Sequence, residues 1–161
     1  MMILKNNKLI LNGVLIFSIL SLSIAYFIQY VLDHKPCNLC LIERIPYISS
    51  VILISLIFII NKFEKIISII ILLVFIFGAI VSFYHFGIEQ GFFSESLVCN
   101  FKNISGNTSA ADLLKEMREK PVSCKDVTFK ILGFSLATIN TIISLLLSAI
   151  MYKILKNYEK N

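Results

Sequence analysis

The chain has 161 residues, 57% of them hydrophobic and only 16% charged, with a mean hydropathy of +0.84. That length makes a single domain over 1–161 the expected organisation, and the composition excludes an ordinary soluble fold. The net charge of +5 comes with no basic stripe, no interleaved aromatics and no arginine-rich helix, which argues against a nucleic-acid partner.

Four apolar runs follow in chain order and predict an all-α, four-helix integral membrane bundle. The first, about 9–32, carries no charge and only small or amide polar side chains. It is longer than the roughly 7–15 residues of a signal-peptide core, so a retained span is expected. The second, about 41–60, includes Arg44, whose side chain can snorkel to the headgroups. The third, about 66–86, holds one ionisable group, His85, at its far end, and the fourth runs about 131–152. Each can supply the roughly 20 residues that a crossing helix needs.

Four spans put both termini on one side. Lys5, Lys8, Lys62, Lys65, Lys153, Lys156 and Lys160 then crowd together, offset only by Glu64 and Glu159. Of the eight remaining bases, Arg44 lies at the outer end of the second span and seven are spread through the outer segments, about 33–40 and 87–130. Density of positive charge beside the spans therefore predicts cytoplasmic tails and outward-facing loops. All four cysteines lie on the outer side, where disulfides persist.

The long 87–130 loop is polar. Within it Ser109-Ala110-Ala111-Asp112 resembles a capping box and predicts a short amphipathic helix over Ala110–Glu119, ended by Pro121. Its Leu/Met face can rest on the bilayer or on the rest of the loop. Two glycosylation sequons, at Asn103 and Asn107, read as chance matches.

The chemistry is expected at the cysteines. Cys37-Asn38-Leu39-Cys40 stands after Pro36, where the chain re-enters the membrane. A helix N-terminus there favours a thiolate, and Arg44, one turn beyond Cys40, adds a second positive influence on that sulfur. Cys99 and Cys124 lie 25 positions apart in the loop. If bridged they would constrain the unfolded chain by roughly 3 kcal/mol, a structural role, whereas an exposed bridge would serve thiol exchange. A four-cysteine zinc site needs two short-spaced couples, so no metal is expected. His85 and Arg44 share the outer end of their spans and can approach each other. Glu89, close by, reads as a solvated acid.

The segment Pro36-Cys37-Asn38-Leu39-Cys40-Leu41-Ile42-Glu43-Arg44-Ile45-Pro46-Tyr47 closely resembles the Pro-Cys-x-Leu-Cys…Arg-x-Pro stretch of the disulfide bond formation protein B (DsbB) family. Tyr84 to Glu89, Val122-Ser123-Cys124 and Leu132 to Ala137 resemble its shorter bacterial members. The resemblance implies a thiol:quinone oxidoreductase of the bacterial inner membrane with its cysteines facing the periplasm. A DsbA-like thioredoxin-fold protein would reduce Cys99–Cys124. Electrons would pass to Cys37–Cys40 through a Cys37–Cys124 bridge, and Cys40 would reduce ubiquinone or menaquinone. The resemblance makes all four cysteines catalytic and gives Arg44 and His85 to the quinone head group. Two positions depart from many relatives: Glu43 replaces a frequent glutamine and is expected to pair with Arg44, and Phe92 and Phe93 stand where a Trp is common.

Two other readings compete. Vitamin K epoxide reductase-like enzymes are also four-span thiol–quinone proteins, but their loop cysteines precede the Cys-x-x-Cys. A four-span structural protein with bracing outer disulfides leaves Arg44 without a purpose.

Overall fold

A segment surrounded by lipid must satisfy its backbone N–H and C=O groups internally, and the apolar runs accordingly fold as helices. The computed structural model describes residues 2–60, 63–95, 99, 123–125, 130–131 and 133–159. In order these form α1 (Met2–Tyr30), α2 (Asn38–Ile42), α3 (Ile45–Ile60), α4 (Glu64–Glu89), the two-residue strands β1 (Lys130–Ile131) and β2 (Phe134–Ser135), and α5 (Leu136–Glu159). Four stretches are long and apolar enough to cross a membrane: Asn7–Tyr30, Asn38–Ile60 with α2 and α3 in series, Glu64–Glu89 and Leu136–Tyr158. The protein is an all-α, multi-pass membrane bundle. The proposed loop helix Ala110–Glu119 lies outside the described residues.

Two helix starts differ from the sequence expectation, for local reasons. The second span begins at Asn38 rather than near 41, because Cys37 caps it: its Sγ accepts the Cys40 N–H at 3.3 Å. The Cys-x-x-Cys is thus part of the helix and not of the preceding loop. The fourth span begins at Leu136 rather than near 131. Lys130–Ile131 pairs antiparallel with Phe134–Ser135 around Gly133, whose φ of +87° suits glycine. Ser135 Oγ then accepts the Thr138 N–H at 3.2 Å and caps the helix.

The break between α2 and α3 also has a cause. Pro46 has no N–H to offer the Ile42 carbonyl, so the ladder lapses and Glu43–Arg44 forms a turn. Downstream, α3 and α4 approach closely at Gly78, where an added Cβ would stand 2.8 Å from Pro46 Cγ. Small residues allow such contacts between membrane helices.

The bundle core is made by Leu11, Tyr47, Ile54, Ile71, Phe75, Met151 and Ile154 among others, drawn from all four spans. Many aliphatic and Phe side chains instead face outward, as a lipid-contacting belt requires. α4 packs most extensively with α5, α1 and α3 pack together, and α1 and α5 barely meet. At the tail end Lys8 Nζ pairs with Glu64 at 3.3 Å, Tyr158 donates to Glu64 at 3.0 Å, and Asn157 donates to Asn7 at 3.3 Å. The other end holds the cysteines.

Candidate active site

A second buried cluster gathers Cys37, Leu39, Ile88, Cys99 and Cys124. Cys99 and Cys124 are bridged, and both are buried, at 1% and 2% exposure. This corrects the expectation of an exposed loop disulfide: the pair packs onto α2 and α4 beside Cys37. Glu95 helps to hold it there. Its carboxylate accepts from the Ser123 hydroxyl and, at 3.1 Å, from the Lys125 N–H, on either side of Cys124.

Cys37 and Cys40 are unbridged thiols with sulfurs 2.7 Å apart. His85, from α4, brings Nε2 to 3.6 Å of Cys37 Sγ. Its Nδ1 lies 2.7 Å from Glu43 Oε1. A carboxylate oxygen only accepts, so Nδ1 carries the hydrogen and donates it to Glu43. The Cys37 thiol is lowered from 9.0 to about 5, first by its hydrogen bond with Cys40 and then by the hydrogen bond and charge of His85, while burial opposes the shift. The stabilised thiolate is therefore Cys37, where the sequence pointed to Cys40. The α2–α3 break explains the difference, because it takes Arg44 off the α2 helical face.

Arg44 turns toward α1. Its Nη1 donates to Gln29 Oε1 at 2.5 Å, and its guanidinium lies 5.0 Å from the centre of the Tyr26 ring. Glu43 is thus not the partner of Arg44. Its second oxygen accepts from Asn140 Nδ2 at 2.9 Å, so it links α4 and α5. Asn140 also donates to Ser82 at 2.6 Å and accepts from Tyr47 at 2.5 Å. Sequence reasoning missed Asn140, although an amide in the middle of an apolar run is a usable signal. Glu89 is not solvated either. Its side chain is 6% exposed, Oε1 lies 3.9 Å from His85 Nε2, and Oε2 has no hydrogen-bond partner among the described residues.

A cavity of about 290 Å³ opens beside these groups, between α1 and α5. Its walls are largely aliphatic, with Leu22, Ile28, Ala137 and Ile143 among them, and Cys37, Cys40, Arg44, His85 and Asn140 line its polar end. A buried and a half-buried thiol, a bridged second pair and an apolar slot on a four-span bundle define a membrane oxidoreductase of the thiol–disulfide class.

The family described as disulfide bond formation protein DsbB matches residues 7–154. The chain belongs to that family and so to the membrane machinery of disulfide-bond formation. An uncharacterized protein of Rickettsia prowazekii (strain Madrid E) is 32% identical over 146 residues, covering 89% of this chain and 85% of the relative. No solved structure matches the chain.

Proposed function

We propose that this protein is a thiol:quinone oxidoreductase that reoxidises a DsbA-like thioredoxin-fold protein. The observation that carries the reading is the apolar cavity between α1 and α5, with Cys40 and Arg44 at its polar end. A quinone ring needs an apolar slot and hydrogen-bond donors at its oxygens, and the donor set here fits that chemistry. When bound, a quinone accepts two electrons and two protons. Arg44, held by Gln29 and Tyr26, presents a fixed positive charge where negative charge would develop. His85 lines the cavity, but its ring nitrogens face Glu43 and Cys37, so its part is to hold the Cys37 thiolate.

The exchange steps balance within the chain's own sulfurs. A partner dithiol reduces Cys99–Cys124 and leaves as its disulfide. The Cys124 thiolate attacks Cys37 of an oxidised Cys37–Cys40 pair, forming Cys37–Cys124 and releasing Cys40 as thiolate. Cys99 then attacks Cys124, which restores Cys99–Cys124 and leaves Cys37 and Cys40 as a dithiol. Cys40 and Cys37 give up two electrons and two protons as their own disulfide closes. The common burial of Cys37, Cys99 and Cys124 in one cluster supports the middle steps.

The crowding of lysines toward the chain ends and around the start of α4 supports an inner-membrane orientation with those parts cytoplasmic and the cysteines periplasmic. We read 1–161 as one catalytic domain.

Arg44→Ala tests the assignment. A raised KM for quinone with unchanged exchange between the partner and Cys99–Cys124 is expected. Equal loss of both steps would remove Arg44 from the acceptor site.

A further inference from the structure

Cys37 Sγ, Cys40 Sγ and His85 Nε2 lie within 4.8 Å of one another. The Cys-x-x-Cys spacing alone predicts no metal site, because Cys99 and Cys124 are too widely spaced to complete a set of four. The fold supplies different ligands, from α4. We propose that the dithiol form of this protein binds one thiophilic divalent cation, zinc in the cell, through Cys37, Cys40, His85 and Glu89.

Zinc bonds of about 2.3 Å to sulfur and 2.0–2.1 Å to nitrogen place neighbouring tetrahedral ligands about 3.5–3.8 Å apart. The 3.6 Å between Cys37 Sγ and His85 Nε2 already meets this. The two sulfurs, 2.7 Å apart, must part by about an ångström to do so. Two features beyond the thiols point to a cation. Metal-binding histidines characteristically donate their other ring N–H to a carboxylate, which fixes the ring and leaves the free nitrogen as ligand. His85 does so through Nδ1 to Glu43 Oε1 at 2.7 Å. Glu89, on the next helical turn, carries a buried Oε2 with no hydrogen-bond partner among the described residues, and its Oε1 lies 3.9 Å from Nε2. It stands outside the 4.8 Å cluster of the other three and becomes the fourth ligand by turning toward the sulfurs, which gives its buried oxygen a partner.

Binding displaces whatever protons the two sulfurs and the imidazole still hold, which pass to solvent, and no electron moves. A Cys37–Cys40 disulfide offers no thiolate, so the site exists only in the reduced state. The bound cation blocks closure of that disulfide and so holds electrons on the chain. The site does not depend on which acceptor takes those electrons.

The test uses detergent-purified protein with Cys99→Ser and Cys124→Ser, free of quinone, so that only two thiols remain. Cd2+ is titrated into the reduced and the oxidised forms, and thiolate-to-metal charge-transfer absorbance is read, with Zn2+ as competitor. The expected result is one Cd2+ per chain in the reduced form and none in the oxidised form. His85→Ala should weaken binding at least tenfold and Glu89→Gln several-fold. Equal uptake by both redox forms, or unchanged affinity in His85→Ala, would overturn the proposal. Co2+ bound to the same reduced protein, with His85 intact, gives a reading independent of that variant's folding. Intense tetrahedral bands support the site, and weak octahedral bands refute it.

Discussion

Around Cys37 the local contacts all favour its charged form. The Cys40 thiol, the Cys40 N–H and the His85 ring converge on its sulfur, and together they outweigh a burial that leaves it 6% exposed. A thiol whose folded pKa of about 5 lies below its ordinary 9.0 stabilises the reduced fold fully above pH 9. That contribution shrinks as pH falls and is gone once the pH has passed below about 5. Thiolate ultraviolet absorbance of the reduced protein should therefore show one sulfur titrating near 5. His85→Ala should move that midpoint upward. Glu43→Gln should move it less than Glu43→Ala, because glutamine still offers an oxygen to Nδ1. A Cys37 midpoint unmoved by His85→Ala would assign the shift to Cys40 and the helix start alone. The same stabilisation of the dithiol makes the Cys37–Cys40 disulfide more oxidising than it would be with an ordinary thiol at Cys37.

Two polar joints bear on the site. Asn140 on α5 bonds Tyr47 on α3, Ser82 on α4 and Glu43 in the turn before α3. Asn140→Leu keeps the volume but takes this partner from two hydroxyls and a carboxylate oxygen, at about 1–3 kcal/mol for each group left unsatisfied. A lowered thermal midpoint in detergent is expected, with looser positioning of His85 through Glu43. A stability equal to wild type would show that water replaces the amide. The second joint pins the loop disulfide, where Glu95 holds Ser123 and Lys125 against the bundle. Glu95→Ala should speed reduction of Cys99–Cys124 by a small dithiol, by up to about tenfold if one charge-assisted bond of about 1.5 kcal/mol governs opening. An unchanged rate would mean that other contacts keep the sulfurs covered.

Across the molecule, the features legible in the sequence are those set by local composition. Hydropathy marks a span wherever enough apolar residues run together, so all four helices could be read from it. Their ends could not. Whether Cys37 caps a helix or precedes one depends on where its sulfur points, and the start of α5 depends on a turn at Gly133. The site divides in the same way. Cys-x-x-Cys is a local pattern, whereas the Cys37–His85 and Glu43–Asn140 contacts join residues 48 and 97 positions apart, and only packing brings them together. Charge is the one global property that the sequence carries openly, and it leads to the last prediction. Seven lysines lie toward the two chain ends and around the start of α4, against two glutamates there. The Lys8–Glu64 pair occupies one of each, and the rest present a positive end that resists translocation. Cysteine reporters in a variant with all four native cysteines changed to serine read the result. Lys156→Cys should resist a membrane-impermeant maleimide in intact cells and react after lysis, and Asp33→Cys should react in both. The reverse pattern would put Cys37, Cys40 and the loop disulfide in the reducing cytosol, where a disulfide-forming relay could not work. Orientation is therefore the condition on which every redox step above depends.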